Sequence, residues 1–88
     1  MKNAGYTIIQ EEIYDAGEMY GVALGYNGTE FVTWEYKVTI ENEKNEYSFF
    51  WGHYFNNPFL ASRDYHLRLF TRYTELYEEK KYNRKEGE

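Results

Sequence analysis

Cysteine is absent from this chain of 88 residues, proline occurs once, and serine appears only at Ser48 and Ser62. Without cysteine there is no disulfide frame, no thiolate metal site and no thiol nucleophile, a usage that fits a reducing cytosol. No apolar run exceeds three residues, so no membrane span is expected. The opening MKNAGYTIIQEE carries one lysine followed by acids, unlike the basic and apolar regions of a secretory signal. Gly17, Gly21, Gly25 and Gly28 do not stand between a strand and a helix, so no phosphate-cradling loop is expected. Neither serine lies in a nucleophile elbow. Adjacent acids such as Glu11 and Glu12 fall on alternate faces of a strand and would not share a substrate. A chain this small also leaves little volume for a pocket, and these absences point away from an enzyme.

Rings are what the chain has in abundance. It holds 11 Tyr, 6 Phe and 2 Trp, and 42% of its residues are hydrophobic. That is enough for one domain with a ring-built core, burying about 60% of the unfolded surface, and it excludes wholesale disorder. Eleven tyrosines exceed what such a core can bury with satisfied hydroxyls, so some of Tyr6, Tyr14, Tyr20, Tyr26, Tyr54 and Tyr82 are expected at the surface. Exposed tyrosines suit either the rim of a sheet or the recognition of a protein partner.

Periodicity gives the elements. Tyr6–Tyr14 mixes β-branched, aromatic and polar residues as a half-buried strand does. Asp15-Ala16-Gly17 is a turn, and Met19–Tyr26 is a second strand in which Gly21 and Gly25 mark a bulge or a close backbone approach. Asn27-Gly28 predicts a type I′ hairpin. In Phe31–Ile40 the even positions Val32, Trp34, Tyr36, Val38 and Ile40 are apolar. The odd ones, Phe31, Thr33, Glu35, Lys37 and Thr39, are mostly polar, so one face is expected buried and the other largely wet. Glu41–Glu46 reads as a loop. Tyr47–Phe55 is a fourth strand with rings on both faces, hence either central or bearing an exposed aromatic patch. Asn57 and Pro58 suit the N-cap and first position of a helix. In that helix Phe59, Tyr65, His66, Leu69, Phe70, Tyr73, Leu76 and Tyr77 fall in one arc. Arg63, Asp64, Arg68, Arg72, Glu75, Glu78 and Glu79 lie outside it, and Leu60 and Leu67 form a separate ridge. The expected fold is α+β, a four-stranded antiparallel sheet with one C-terminal helix packed across its apolar face. Residues 1–82 would form the domain and 83–88 a frayed polar tail.

Charge is uneven. The formal net charge is −5, and residues 1–60 carry nine acids against three bases, whereas residues 61–88 carry six against seven. This balance argues against direct nucleic-acid binding. It suits solubility, or a surface offered to a basic protein in competition with a nucleic acid. Glu11, Glu12, Glu35, Glu41, Glu43 and Glu46 are the candidate contact residues. His53 shares a strand face with Trp51 and Phe55, and His66 lies in the helix arc. Should the two imidazoles meet, a carboxylate such as Asp64 would complete a zinc site, although no diagnostic spacing is present. Otherwise no cofactor is expected. The alternative reading of both histidines is as hydrogen-bonded core or rim residues.

The run Phe31-Val32-Thr33-Trp34, then Phe50-Trp51-Gly52-His53-Tyr54-Phe55, then Ala61, Asp64 and Arg68, resembles a group of small proteins. These are carried by phages and integrative elements of Firmicutes, and the resemblance spans residues 6–70. Small acidic phage proteins of this kind include anti-CRISPR inhibitors. The resemblance implies a non-enzymatic nucleic-acid mimic in the cytoplasm of a bacterial host. Such a protein would bind a basic surface of a defence nuclease and block nucleic-acid loading. The alternatives are a small accessory or structural protein of the element and a small zinc-binding protein. No membrane or direct nucleic-acid partner is expected, and either a monomer or a homodimer is compatible with an exposed edge strand or the Leu60/Leu67 ridge.

Overall fold

The computed structural model describes the backbone of residues 1–86 and the side chains of residues 1–79. Five antiparallel strands lie side by side in chain order: β1 (Lys2–Asn3), β2 (Tyr6–Asp15), β3 (Met19–Tyr26), β4 (Phe31–Glu41) and β5 (Lys44–Phe55). One helix, α1 (Pro58–Glu86), follows. The class is α+β as expected, but the sheet has five strands rather than four. Ala4 (φ 52°) and Gly5 (φ 85°) make a tight turn that lays Lys2 and Asn3 against Thr7 and Tyr6. Two successive positive φ values match the twist of paired strands.

The same turn chemistry corrects the expected loop at 41–46. Asn42 (φ 51°) and Glu43 (φ 66°) form a two-residue turn, so β4 runs on to Glu41 and β5 begins at Lys44. The Asn27-Gly28 hairpin exists, but only Gly28 has a positive φ (98°). Asn27 instead bends its side chain inward, and its Oδ1 accepts from Thr29 N (2.9 Å) and Glu30 N (2.8 Å). The result is a four-residue loop rather than a type I′ turn. In the β2–β3 turn, Asp15 Oδ1 accepts from Gly17 N at 2.9 Å.

Both faces of the sheet are buried at its centre. Tyr6, Ala23, Val32, Trp34, Tyr36 and Val38 form one cluster, with Ile8 and Phe49 packed against it. No described helical residue belongs to it. Its rings cover one another instead. Trp34 meets Tyr6 edge-on at 5.5 Å and Phe49 at 5.4 Å between centroids. Glycines make room for them: a Cβ on Gly21 would stand 2.3 Å from Tyr36 Cζ, and one on Gly52 would stand 3.0 Å from Trp34 Nε1. The glycines of β3 thus mark close approach, as one of the two expectations had it. The bulges lie elsewhere, in β2 between Ile8 and Gln10 and in the β4–β5 pairing between Thr33 and Glu35.

The helix packs on the opposite face, with Tyr14, Val22, Leu24, Ala61, Tyr65 and Leu69 as its core. This is the face of Thr33 and Glu35, which the alternation in β4 marks as wet. Asn57 caps α1, its Oδ1 accepting from Phe59 N (2.8 Å) and Leu60 N (3.2 Å). The packed side of α1 carries Ala61, Tyr65, Arg68, Leu69, Arg72 and Leu76. At 100° per residue it is rotated by roughly 80° from the expected arc. Tyr65, Leu69 and Leu76 therefore face the sheet, while Phe59, His66, Phe70 and Tyr77 are exposed. The helix continues to Glu86, past the domain boundary expected at residue 82. The expected tail at 83–88 is thus helical as far as 86, and residues 87–88 lie outside the described residues. No described helix is long and apolar enough to cross a membrane.

Candidate functional site

The chemistry of the molecule concentrates beneath the helix. Strand alternation aims Thr33 and Glu35 of β4 at α1, and helical spacing stacks Asp64, Arg68 and Arg72 on the side that faces them. Glu35 lies at the centre, its side chain only 7% exposed and that of Arg68 only 8%. Glu35 Oε2 accepts from Arg68 Nη1 at 3.0 Å and from Arg72 Nη2 at 3.1 Å, and Glu35 Oε1 accepts from Arg72 Nε at 2.5 Å. Arg72 also donates to Glu75 at 3.0 Å. Arg68 Nε donates to Asp64 Oδ2 and to Thr33 Oγ1, both at 3.1 Å. Thr33 in turn donates to Asp64 Oδ2, and His53 Nδ1 stands 3.0 Å from the same oxygen.

A strained residue completes the network. Trp51 sits in the β5 bulge with φ 55°, in the left-handed region a side chain ordinarily avoids. The bulge turns its carbonyl to accept from Arg68 Nη2. Its ring lies 5.6 Å from the Arg72 guanidinium carbon, within cation–π range. Beside the network opens a cleft of about 290 Å³, walled by Tyr14, Tyr20, Phe50, Trp51 and Leu76 and edged by Glu35, Arg72, Glu75 and Glu79.

Proton affinities follow the contacts. Burial works to raise the Asp64 carboxyl, but hydrogen bonds from Thr33, His53 and Arg68, with the Arg68 charge, outweigh it and hold Asp64 below the usual carboxylate range. The Glu35 hydrogen bond holds the Arg72 guanidinium more firmly protonated than usual. On the other face the Tyr6 hydroxyl donates to Glu30 and is pushed up to about 12, mainly by that bond. Burial, with Glu11 nearby, raises Tyr36. The Thr33 hydroxyl is wholly buried and gives its proton to Asp64, while His53 contacts Asp64 rather than Thr33. The arrangement is built to hold two arginines in place.

The six candidate acids do not form one patch. Glu35 is interior and fully engaged, so it cannot belong to a contact surface. Glu11 accepts from Tyr36 at 3.1 Å on the aromatic face, and Glu12 accepts from Tyr73 on the helix face. Glu41, Glu43 and Glu46 stand together at the β4–β5 tip, exposed and with no ion-pair partner among the described residues. The zinc expectation is corrected. His53 bonds Asp64 under the helix, but His66 lies two residues beyond Asp64, about 200° around α1, and is exposed. No cluster of three or more metal-binding side chains occurs among the described residues.

Of the tyrosines expected at the surface, Tyr26 and Tyr54 are exposed, Tyr20 is half-buried, and Tyr6 and Tyr14 are buried. The Tyr82 side chain lies outside the described residues. As an edge strand, β5 realises the exposed aromatic alternative through Tyr47, Trp51 and Tyr54. Sequence reasoning missed the roles of Thr33, Arg68 and Arg72. Their signal was the Asp64-Arg68-Arg72 spacing of four, which sets three charges on one side of a helix. No family model, curated protein or solved structure matches the chain.

Proposed function

We propose that this chain is a non-catalytic binding protein of a phage or mobile element. It would act in the host cytoplasm, docking its acidic sheet on a basic surface of a defence nuclease and excluding nucleic acid from it. One observation carries this reading: two of the arginines are taken up inside the fold. Arg68 and Arg72 are turned inward on Glu35 and Asp64. The carboxylates of Glu41, Glu43 and Glu46 remain outside, with Lys44 beside them but with no ion pair formed among the described residues. Residues 1–60 carry nine acids, of which Glu35 is interior, against three bases, and this excess on the strands accelerates encounter with a basic partner and makes docking sensitive to salt.

The test is capture from a bacterial host lysate, with the bound protein identified and its nuclease activity measured. The triple charge reversal Glu41→Lys, Glu43→Lys and Glu46→Lys is expected to weaken capture and inhibition while leaving the melting temperature nearly unchanged. Equal inhibition by the triple variant would assign these acids to solubility alone.

A further inference from the structure

Rotation of the helix leaves a second apolar surface that the sheet does not use. On the outer side of α1, Phe59, Arg63, His66, Phe70, Tyr73 and Tyr77 follow one another at intervals of 4, 3, 4, 3 and 4 residues. This is the alternation of a coiled-coil seam, carried here by a helix already held by the sheet. The rings are open: Phe59 is 81% exposed, Phe70 69%, Tyr77 62% and Tyr73 43%. Leu60 and Leu67, both about half exposed, flank them on one side.

We infer that this seam pairs with the same seam of a second copy, the two helices running antiparallel about a twofold axis level with Arg68. In that register Phe59 meets Tyr77 of the second copy, Arg63 meets its Tyr73, and His66 meets its Phe70. All six positions are matched with none left over. The only permanent charge in the seam chooses the direction. In a parallel pair Arg63 would face its own counterpart. In the antiparallel pair it lies over a tyrosine ring whose hydroxyl already donates to Glu12, so a cation meets both a ring face and a carboxylate. The seam holds no carboxylate of its own, so a basic protein is not its natural occupant.

Area agrees. Taking roughly 200 Å² for each ring, the four rings expose on the order of 500 Å² per copy. Two copies would cover about 1,000 Å² before the leucines are added, the least that a specific interface requires. An apolar patch of this size lies toward the upper end of what single proteins leave open, where such patches often serve in binding.

The experiment uses the purified protein alone, so its outcome is separate from that of partner capture. Sedimentation equilibrium at 5–200 µM (roughly the range over which interfaces of this class dissociate) is expected to show a species of twice 10.7 kDa. Phe70→Glu, at an exposed site, is expected to weaken association about a hundredfold with an unchanged circular dichroism spectrum. Arg63→Glu and Glu12→Lys should each weaken it, and the double variant should recover much of the loss. Three results would overturn the inference. One is a wild-type monomer throughout the range, even where Phe70→Glu abolished capture of another protein. The others are a Phe70→Glu variant that still dimerises and a charge swap that restores nothing.

Discussion

Replacing Glu35 with glutamine keeps the shape of the side chain and removes its charge, which makes it the sharpest probe of the interface beneath the helix. The carboxylate accepts three hydrogen bonds from two guanidinium groups, at 3.0, 2.5 and 3.1 Å. Glutamine can offer one oxygen, so at most the two bonds to Oε2 survive, its amide NH2 is set against Arg72 Nε, and Arg68, with its side chain 8% exposed, loses its nearest counter-charge on the sheet. Breaking a buried pair from one side costs about 3–5 kcal/mol. Arg72 is 26% exposed and Asp64 still holds Arg68, so the lower end, about 3 kcal/mol, is expected. A domain of this length has a total stability of only about 4–13 kcal/mol. The melting temperature should therefore fall by roughly 12–24 °C at about 4–8 °C per kcal/mol. Urea denaturation of Glu35→Gln supplies the free energy. The companion is the double variant Glu35→Leu with Arg68→Met, which replaces the pair by apolar side chains of similar length. It should lose less than Glu35→Gln, because the most buried cation goes together with its partner, while Arg72 keeps Glu75 and contact with water and Asp64 keeps Thr33 and His53. A Glu35→Gln variant within about 1 kcal/mol of wild type, the worth of an exposed ion pair, would refute this account of the interface.

Gly21→Ala places a methyl where the buried Tyr36 ring lies 2.3 Å away. The ring is held by Glu11, Phe49 and Tyr47, so a loss of about 2–3 kcal/mol is expected in chemical denaturation, and a neutral result would show that the ring moves freely. Asp64 titrates below its unfolded value. Its contribution is therefore intact above about pH 4 and lost as pH falls through the lower folded value. Urea midpoints measured between about pH 5 and 2 should fall less steeply for Asp64→Asn than for wild type, and equal slopes would contradict the contacts drawn around that carboxylate.

Local features of this fold could be read from the chain, and contacts between elements could not. The Met19–Tyr26 strand, the Asn57 cap and Pro58 start all lie where adjacent residues dictate them, because their causes sit within a few positions. Ala4-Gly5 and Asn42-Glu43 are tight turns without the Asn-Gly signature, so one strand was missed and another began late. The deeper difference concerns β4. Its even residues are indeed apolar, but their rings are covered by glycines and neighbouring rings of the same sheet, leaving the helix to the side of Thr33 and Glu35. Nothing in a period of two says which face a distant helix will choose. Arg68 and Arg72 misled for a related reason: their long apolar stems pack like a hydrophobe while their heads find Glu35, so a charged residue took a core position. Of the six acids singled out, the three at the hairpin tip are together and open, and Glu35 has an interior duty that only the tertiary contact reveals.

The two irregularities in the strand pairing bear on how this protein behaves when crowded. Along β5 the Trp51 kink divides an otherwise long outer border, while at the opposite edge β1 is only two residues long and the pairing of β2 with β3 slips near Ile9. A foreign strand seeking to extend the sheet along β5 would lose its hydrogen-bond rhythm midway, and on the other side it would meet an edge strand of two residues. Templated strand addition is thereby hindered along β5, the longer of the two edge strands.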